Sequence, residues 1–197
     1  MKDEVIHGEI ADSISVKQKI LADVALVSSV RQVADECIAA YRRGNRVLLA
    51  GNGGSAADAQ HLAAEFVGRY GFNRQGLSAI AFTTDTSMLT AIGNDYGFEQ
   101  VFRRQLEANG SQGDVFVGIS TSGNSANIIS ALEFAREAGI VTVGLTGQGG
   151  GRMKALCDYS IQVPSTSTPR IQESHIMLGH IICGIVEDRL FGGQEDQ

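Results

Sequence analysis

Apolar residues follow two rhythms along this chain. From about residue 7 to Gly44 they recur every three or four positions. Ile10, Ile14, Leu21 and Val24, with Lys17 between them, mark one face, and Val33, Cys37, Ile38 and Tyr41 mark another over Val30 to Arg43. That is the spacing of amphipathic helices. From Arg46 onward, short apolar runs alternate with helical stretches. The runs Val47–Ala50, Ala79–Phe82, Val115–Ile119, Val141–Leu145 and Tyr159–Val163 are predicted strands. Several are continuously apolar, as expected of strands covered on both faces. Strands separated in this way by helices predict a three-layer α/β/α sandwich with a five-stranded parallel sheet, preceded by N-terminal helices. A long helix is predicted from Thr168-Pro169, with Thr as cap and Pro as first residue, to about Phe191, stopping at Gly192-Gly193. Its apolar residues, among them Ile176, Leu178, Ile181, Ile182, Ile185 and Leu190, lie on more than one face. Such a helix is buried, either in the subunit or in an oligomer core that the N-terminal helices would complete.

Composition narrows the function classes. The 197 residues suit one domain, 1–197, with no linker, repeat or low-complexity tract. A net charge of −6 argues against a nucleic-acid surface. It leaves a phosphate ligand open, because backbone amides and hydroxyls bind phosphate without a basic patch. Three scattered cysteines, Cys37, Cys157 and Cys183, with no Cys-x-x-Cys pair, point to a reducing, cytoplasmic setting. The first residues lack the apolar core of a signal peptide. No apolar run approaches the ~20 residues of a membrane span, so no membrane partner is expected.

Candidate chemistry gathers where predicted strands end. Gly51-Asn52-Gly53-Gly54-Ser55 joins a strand to a helix, and its glycines let the backbone turn sharply and approach a ligand. Ser55 and Asp58 have the spacing of a helix cap with its acidic partner. The same helix carries His61 and Glu65 one turn apart, a pair able to bind one metal or to act as acid and base. The ordinary alternative is a solvated face, since Glu65 also precedes Arg69 by four residues. Ser120-Thr121-Ser122-Gly123-Asn124-Ser125 offers four hydroxyls at a second helix start, a phosphate cradle or simply turn chemistry. The glycine-rich Thr146–Gly151 loop reads as structural, and His7 carries no assignment. Gln172 and His175 open the long helix; His180, among apolar residues, has the setting of a core histidine. There is no nucleophile elbow, Walker loop or dinucleotide fingerprint. None of the four lysines lies on a candidate loop, which argues against Schiff-base chemistry.

Five motifs in order give these segments a family likeness. Gly51–Glu65, Thr84-Asp-Thr-Ser, Asn94-Asp-Tyr-Gly, Ser120–Ser125 and Ile171–His180 together resemble the phosphoheptose isomerases of the sugar-isomerase (SIS) fold, over essentially the whole chain. The resemblance implies a single SIS domain acting on a phosphorylated seven-carbon sugar. It implies conversion of sedoheptulose 7-phosphate to D-glycero-D-manno-heptose 7-phosphate through an enediol, the first step toward ADP-heptose for lipopolysaccharide core. It implies a homotetramer with sites at subunit interfaces, to which helices 1–44 contribute. Glu65 would be the base and His180 the acid. Ser55 and the loop Ser120, Thr121, Ser122 and Ser125 would hold phosphate, while Asn52, Gly53, Gly54, Asn94, Asp95, Glu65 and Gln172 contact substrate. One zinc per subunit would be bound by His61, Glu65, Gln172 and His180. Gln172 and His180 lie eight residues apart, ~12 Å on one straight helix, so they share a ligand only if it sits between them or if different subunits contribute. The readings set against this one are a non-catalytic SIS protein that binds a partner protein, a sugar-phosphate sensor, and an isomerase of a different phosphosugar.

Overall fold

The apolar runs form strands β1 (Val47–Gly51), β2 (Ala79–Ala81), β3 (Val115–Ile119), β4 (Val141–Thr146) and β5 (Tyr159–Gln162) in a computed structural model that describes residues 2–192. All neighbouring pairs are parallel, in the order β2-β1-β3-β4-β5. Alternate residues of each strand enter opposite layers. Val47, Leu49, Val117, Ile119, Val143, Leu145 and Ile161 pack against helices α2 (Val24–Arg42), α3 (Gly54–Val67) and α7 (Thr168–Phe191). Leu48, Ala50 and Phe116 pack against α5 (Val101–Asn109) and α6 (Ala126–Glu137). Each fully buried side chain such as Leu48 or Leu49 contributes about 2 kcal/mol by leaving water. Two covered faces explain why the strands read as unbroken apolar runs.

The chain leaves β1 toward β2 on one side and reaches β3 on the other. The crevice between β1 and β3 is therefore the switch point at which open α/β sheets bind ligands. The register pairs Gly51 with Ile119. The two loops that follow these strands, the Gly51–Ser55 turn and Ser120–Ser125, thus begin side by side.

The N-terminal region departs from expectation. It is helical from Lys2, so His7 lies inside α1 (Lys2–Ala22), and it breaks at Asp23, whose carboxylate accepts the Leu26 N–H at 3.0 Å to cap α2. Ile10, Ile14, Leu21 and Val24, read as one helical face, are 53%, 50%, 80% and 81% exposed in the single chain. Val16 and Ile20 pack inward instead. The Lys17–Glu173 and Arg170–Glu9 ion pairs fasten α1 to α7. Two predicted caps shift by a residue or two. The cap of α7 is Ser167, with Pro169 in the first turn, and that of α3 is Gly53 rather than Ser55. Gly53 has φ 56°, which glycine adopts without strain, so the chain enters α3 through backbone geometry and no side-chain cap. Helix α7 ends at Phe191 with Gly192 following, and Gly193 lies outside the described residues. Among the described residues, no helix is long and apolar enough to cross a membrane.

Candidate active site

Helices α3 and α7 lie side by side and run the same way. Gly179 of α7 faces Leu62 of α3, where any Cβ would overlap the leucine side chain, so glycine lets the two helices approach closely. This contact brings His180 onto the His61–Glu65 face. His61 Nε2 lies 2.8 Å from His180 Nε2 and 3.2 Å from Glu65 Oε1. At 2.8 Å one imidazole donates and the other accepts. The Tyr70 ring closes one side, 5.8 Å from the His180 ring between centroids. The donor atoms of His61, Glu65 and His180 all lie within 4.8 Å of one another. Two imidazole nitrogens and one carboxylate oxygen are the donor set of a catalytic zinc that keeps a fourth position open. In a tetrahedral site the donors stand about 3.3 Å apart, close to the 2.8 and 3.2 Å that separate His61 from His180 and Glu65.

The fourth predicted ligand stands elsewhere in the subunit. The Gln172 amide rests against Gly54, where a Cβ would collide with it. Gly54 opens α3 seven residues before His61, ~10 Å along the helix. The eight-residue step from Gln172 to His180 thus separates them, and Gln172 borders the glycine loop. Asp58, between the two, has one carboxylate oxygen buried without a partner. Burial raises its pKa above the ordinary carboxylate value, against the opposing pull of His61.

The second loop gathers hydroxyls at the start of α6. Ser120 Oγ is 2.8 Å from Ser125 Oγ and 3.4 Å from Ser122 Oγ. Ser125 is the cap residue of α6, yet its hydroxyl makes no bond to the helix's own amides. The loop therefore presents hydroxyls and a helix N-terminus together, an arrangement that favours phosphate. The Thr146–Gly151 loop braces it, as the glycine composition suggested. Gly147 N–H donates to the Thr121 carbonyl at 2.9 Å, and Gly123 (φ 66°) sits so close to the Gly150 carbonyl that no Cβ fits.

Asn52 joins the two loops. Its amide and that of Asn127 in α6 exchange two hydrogen bonds of 2.9 Å each. Ser55 is buried in the first turn of α3 beneath the glycine loop, while Gly53 and Gly54 are exposed. Asn94 and Asp95 lie apart from this cluster, bonded to each other at 2.8 Å on the exposed part of α4 (Thr86–Tyr96).

The core histidine of α7 is His175 rather than His180. It is fully buried, and its Nε2 lies 3.0 Å from the Thr146 carbonyl oxygen, to which it donates. Burial drives its pKa down to about 4, with the Thr146 bond opposing. Sequence reading passed over Asn127, Tyr70, Arg74 and Glu187. The signals were a polar residue at the second position of α6 and a carboxylate within the apolar stretch of α7.

Comparison with known proteins agrees with this geometry. The SIS domain family matches residues 14–147. The chain is 62% identical to the phosphoheptose isomerase of Aneurinibacillus thermoaerophilus over 189 residues, 96% of each protein. It is also 62% identical to phosphoheptose isomerase 2 of Campylobacter jejuni over 187 residues, 95% of this chain and 93% of the relative. The solved phosphoheptose isomerase of Neisseria gonorrhoeae superposes with a TM-score of 0.89 at 46% identity, covering 95% of this chain and 100% of that one. On these grounds the chain belongs to the phosphoheptose isomerases, within the SIS-domain family.

Proposed function

We propose that this isomerase converts sedoheptulose 7-phosphate to D-glycero-D-manno-heptose 7-phosphate, opening the route to ADP-heptose for lipopolysaccharide core, with Glu65 and His180 moving the protons. The observation that carries the reading is the meeting of Glu65, His61 and His180 on α3 and α7, in a chain 62% identical to named phosphoheptose isomerases. Glu65 removes the proton on C1 of the ketose while His180 gives a proton to O2, leaving the enediol. A proton then returns to C2 and O1 gives up its own, so the aldose forms with no net change in atoms or charge. Oε1 of Glu65 faces His61, and we assign the other carboxylate oxygen to the C1 proton. The bonds among Ser120, Ser122 and Ser125 hold that loop in shape for the phosphate, with Ser55 and Thr121 beside it. Asn52, Gly53, Gly54 and Gln172 would line the sugar's path, and Asn94 and Asp95, apart from this cluster in the single chain, would join it only through a rearrangement or across a subunit boundary.

His61, Glu65 and His180 would hold one zinc per subunit, which when bound supplies a Lewis acid toward the sugar's oxygens. A donor atom committed to the ion carries no proton, so Glu65 and His180 would serve as base and acid only as that coordination loosens during turnover. Gln172 joins that set only through a rearrangement or across a subunit boundary.

We further read the chain as one SIS domain whose residues 1–44 support a homotetramer. Leu21, with Ile20, Val27, Val30, Met177 and Ile181, lines an apolar groove of about 530 Å³ between α1, α2 and α7, and Ile10, Ile14 and Val24 are exposed as well. Association would cover these side chains, which a stable monomer rarely leaves exposed as a patch. Three free thiols, two of them buried, suit the reducing cytoplasm.

The test is an NMR assay with sedoheptulose 7-phosphate, on chelated protein with and without added zinc. Aldose signals that depend on zinc support the full reading. Zinc-independent turnover removes the metal's role, and no conversion in either sample overturns the substrate assignment.

A further inference from the structure

Behind the reacting residues lies an ion pair that the chemistry above does not use. Glu187 of α7 and Arg74, in the segment after α3, meet at 3.0 Å with side chains only 3% and 1% exposed. The Glu187 carboxylate also accepts the backbone N–H of Tyr70 at 2.8 Å, of Gly71 at 2.5 Å and of Phe72 at 3.3 Å. Arg74 donates to the carbonyls of Glu65 (2.8 Å), Phe66 (2.7 Å), Gly68 (3.1 Å) and Gln75 (3.0 Å). The guanidinium stands over the Phe191 ring, 5.7 Å from its centroid.

The placement of these bonds matters more than their number. Carbonyls at the C-terminal end of α3 have no partner within the helix and carry its negative dipole end. Arg74 satisfies them, beginning with the carbonyl of Glu65 itself. Glu187 fixes the backbone at Tyr70, whose ring packs on His180 and against Gly184. One buried pair therefore sets both the residue assigned as base and the aromatic wall behind the residue assigned as acid. Burial opposes the charge on Glu187, but three backbone N–H bonds and Arg74 overcome it and hold its carboxyl below the ordinary range. A buried ion pair is a weak device for stability, since well-packed apolar residues commonly serve as well. What an apolar pair cannot supply is direction, whereas the planar guanidinium and the carboxylate hold fixed bonds at set angles.

We propose that Arg74 and Glu187 are positioning residues, a clamp that holds Glu65 and, through Tyr70, His180 in reacting geometry. This rests on the assignment of Glu65 and His180 above. The test uses Arg74→Lys, which keeps the charge and loses the fork, and Glu187→Gln, which keeps the shape and loses the charge. Leu106→Ala, in the core beneath α5 and away from the site, serves as the destabilised control. Turnover and KM are measured on the zinc-loaded protein. Melting and cobalt(II) affinity, followed by the visible spectrum, are measured after chelation.

Disturbing groups that orient metal-binding side chains costs about 10–100-fold in activity or metal affinity. We expect both variants to fold, with kcat down by that factor, KM within about twofold, and cobalt bound more weakly. Leu106→Ala should keep its kcat despite a lower melting temperature. Wild-type kcat and cobalt affinity in a folded Arg74→Lys or Glu187→Gln overturn the clamp. So does a kcat loss that merely follows the melting temperature as it does in Leu106→Ala. Glu65→Gln separates the two ideas. If it is active, the base assignment fails; if it is inactive while both clamp variants are fully active, the clamp alone fails.

Discussion

Acid should weaken this fold through one histidine, and the size of the effect follows from its surroundings. His175 is fully buried beneath the loop after β4, donating to Thr146. Its Nδ1 has no partner, so a second proton would enter a dry site with nothing to receive it. In the fold its pKa is about 4, against an ordinary 6.5. Between these values the unfolded chain takes up a proton that the folded chain refuses. Stability from this residue is therefore intact above pH 6.5, falls as the pH drops, and is fully lost below about pH 4. The gap corresponds to ~3 kcal/mol at about 1.36 kcal/mol per pH unit, and roughly 2 kcal/mol of it is gone by about pH 5. His175→Gln keeps an amide donor for Thr146 and removes the titration. Urea unfolding at one fixed protein concentration, at about pH 7.5 and about pH 5, measures both proteins. The native protein should lose roughly 2 kcal/mol more than the variant over that interval. Equal losses would refute the argument, because acid sensitivity would then lie in the carboxylates that both proteins share.

The other expectations concern the site. Glu65→Gln should abolish turnover, by at least about 100-fold, while leaving the melting temperature and phosphate binding unchanged; normal turnover removes Glu65 as base. His180→Ala should lose both activity and metal, read by assay and by zinc content after dialysis, and an active variant breaks the acid assignment. Gly54→Ala should fold normally, since alanine suits a helix start, yet its Cβ must push the Gln172 amide aside. Losing one neutral hydrogen bond to the sugar corresponds to about 3–10-fold in kcat/KM, and an unchanged value would place Gln172 outside the substrate's path. Asn127→Leu breaks both bonds to Asn52. It should cost about 2–3 kcal/mol in urea unfolding and raise KM, while a variant of native stability and KM would show the two loops to be independently held.

Much of the architecture was legible because a doubly covered parallel sheet leaves an unmistakable trace. Leu48, Leu49, Phe116 and Val117 sit in runs with no polar interruption, and only their alternation between the two layers needed coordinates. The His61–Glu65 spacing was readable as one face of a helix. What joined His180 to it was a packing event, α7 against α3 through Gly179, which no local pattern encodes. The same limit explains why the spacing alone did not show that the core histidine is His175 rather than His180. Five residues apart on a helix apolar nearly all round, the two look alike until a neighbour covers one. The α1 face was legible as helix but not in its surroundings: Ile10, Ile14 and Leu21 have helical periodicity, and the subunit offers that face nothing to pack against. The clamp went unseen because Arg74 sits in a polar loop and the three amides bound by Glu187 come from a turn.

The joining of α3 to α7 also orders events in time. The two imidazoles that touch are 119 residues apart in sequence, and four of the five strands, β2 to β5, lie between them in the chain. During synthesis, at roughly 5–20 residues per second, the strands and the serine loop emerge well before His180 does. A nascent or truncated chain lacking α7 would hold the glycine turn, the serine loop and Glu65, yet have no proton donor opposite them. Competence would therefore switch on in one late step, when α7 docks.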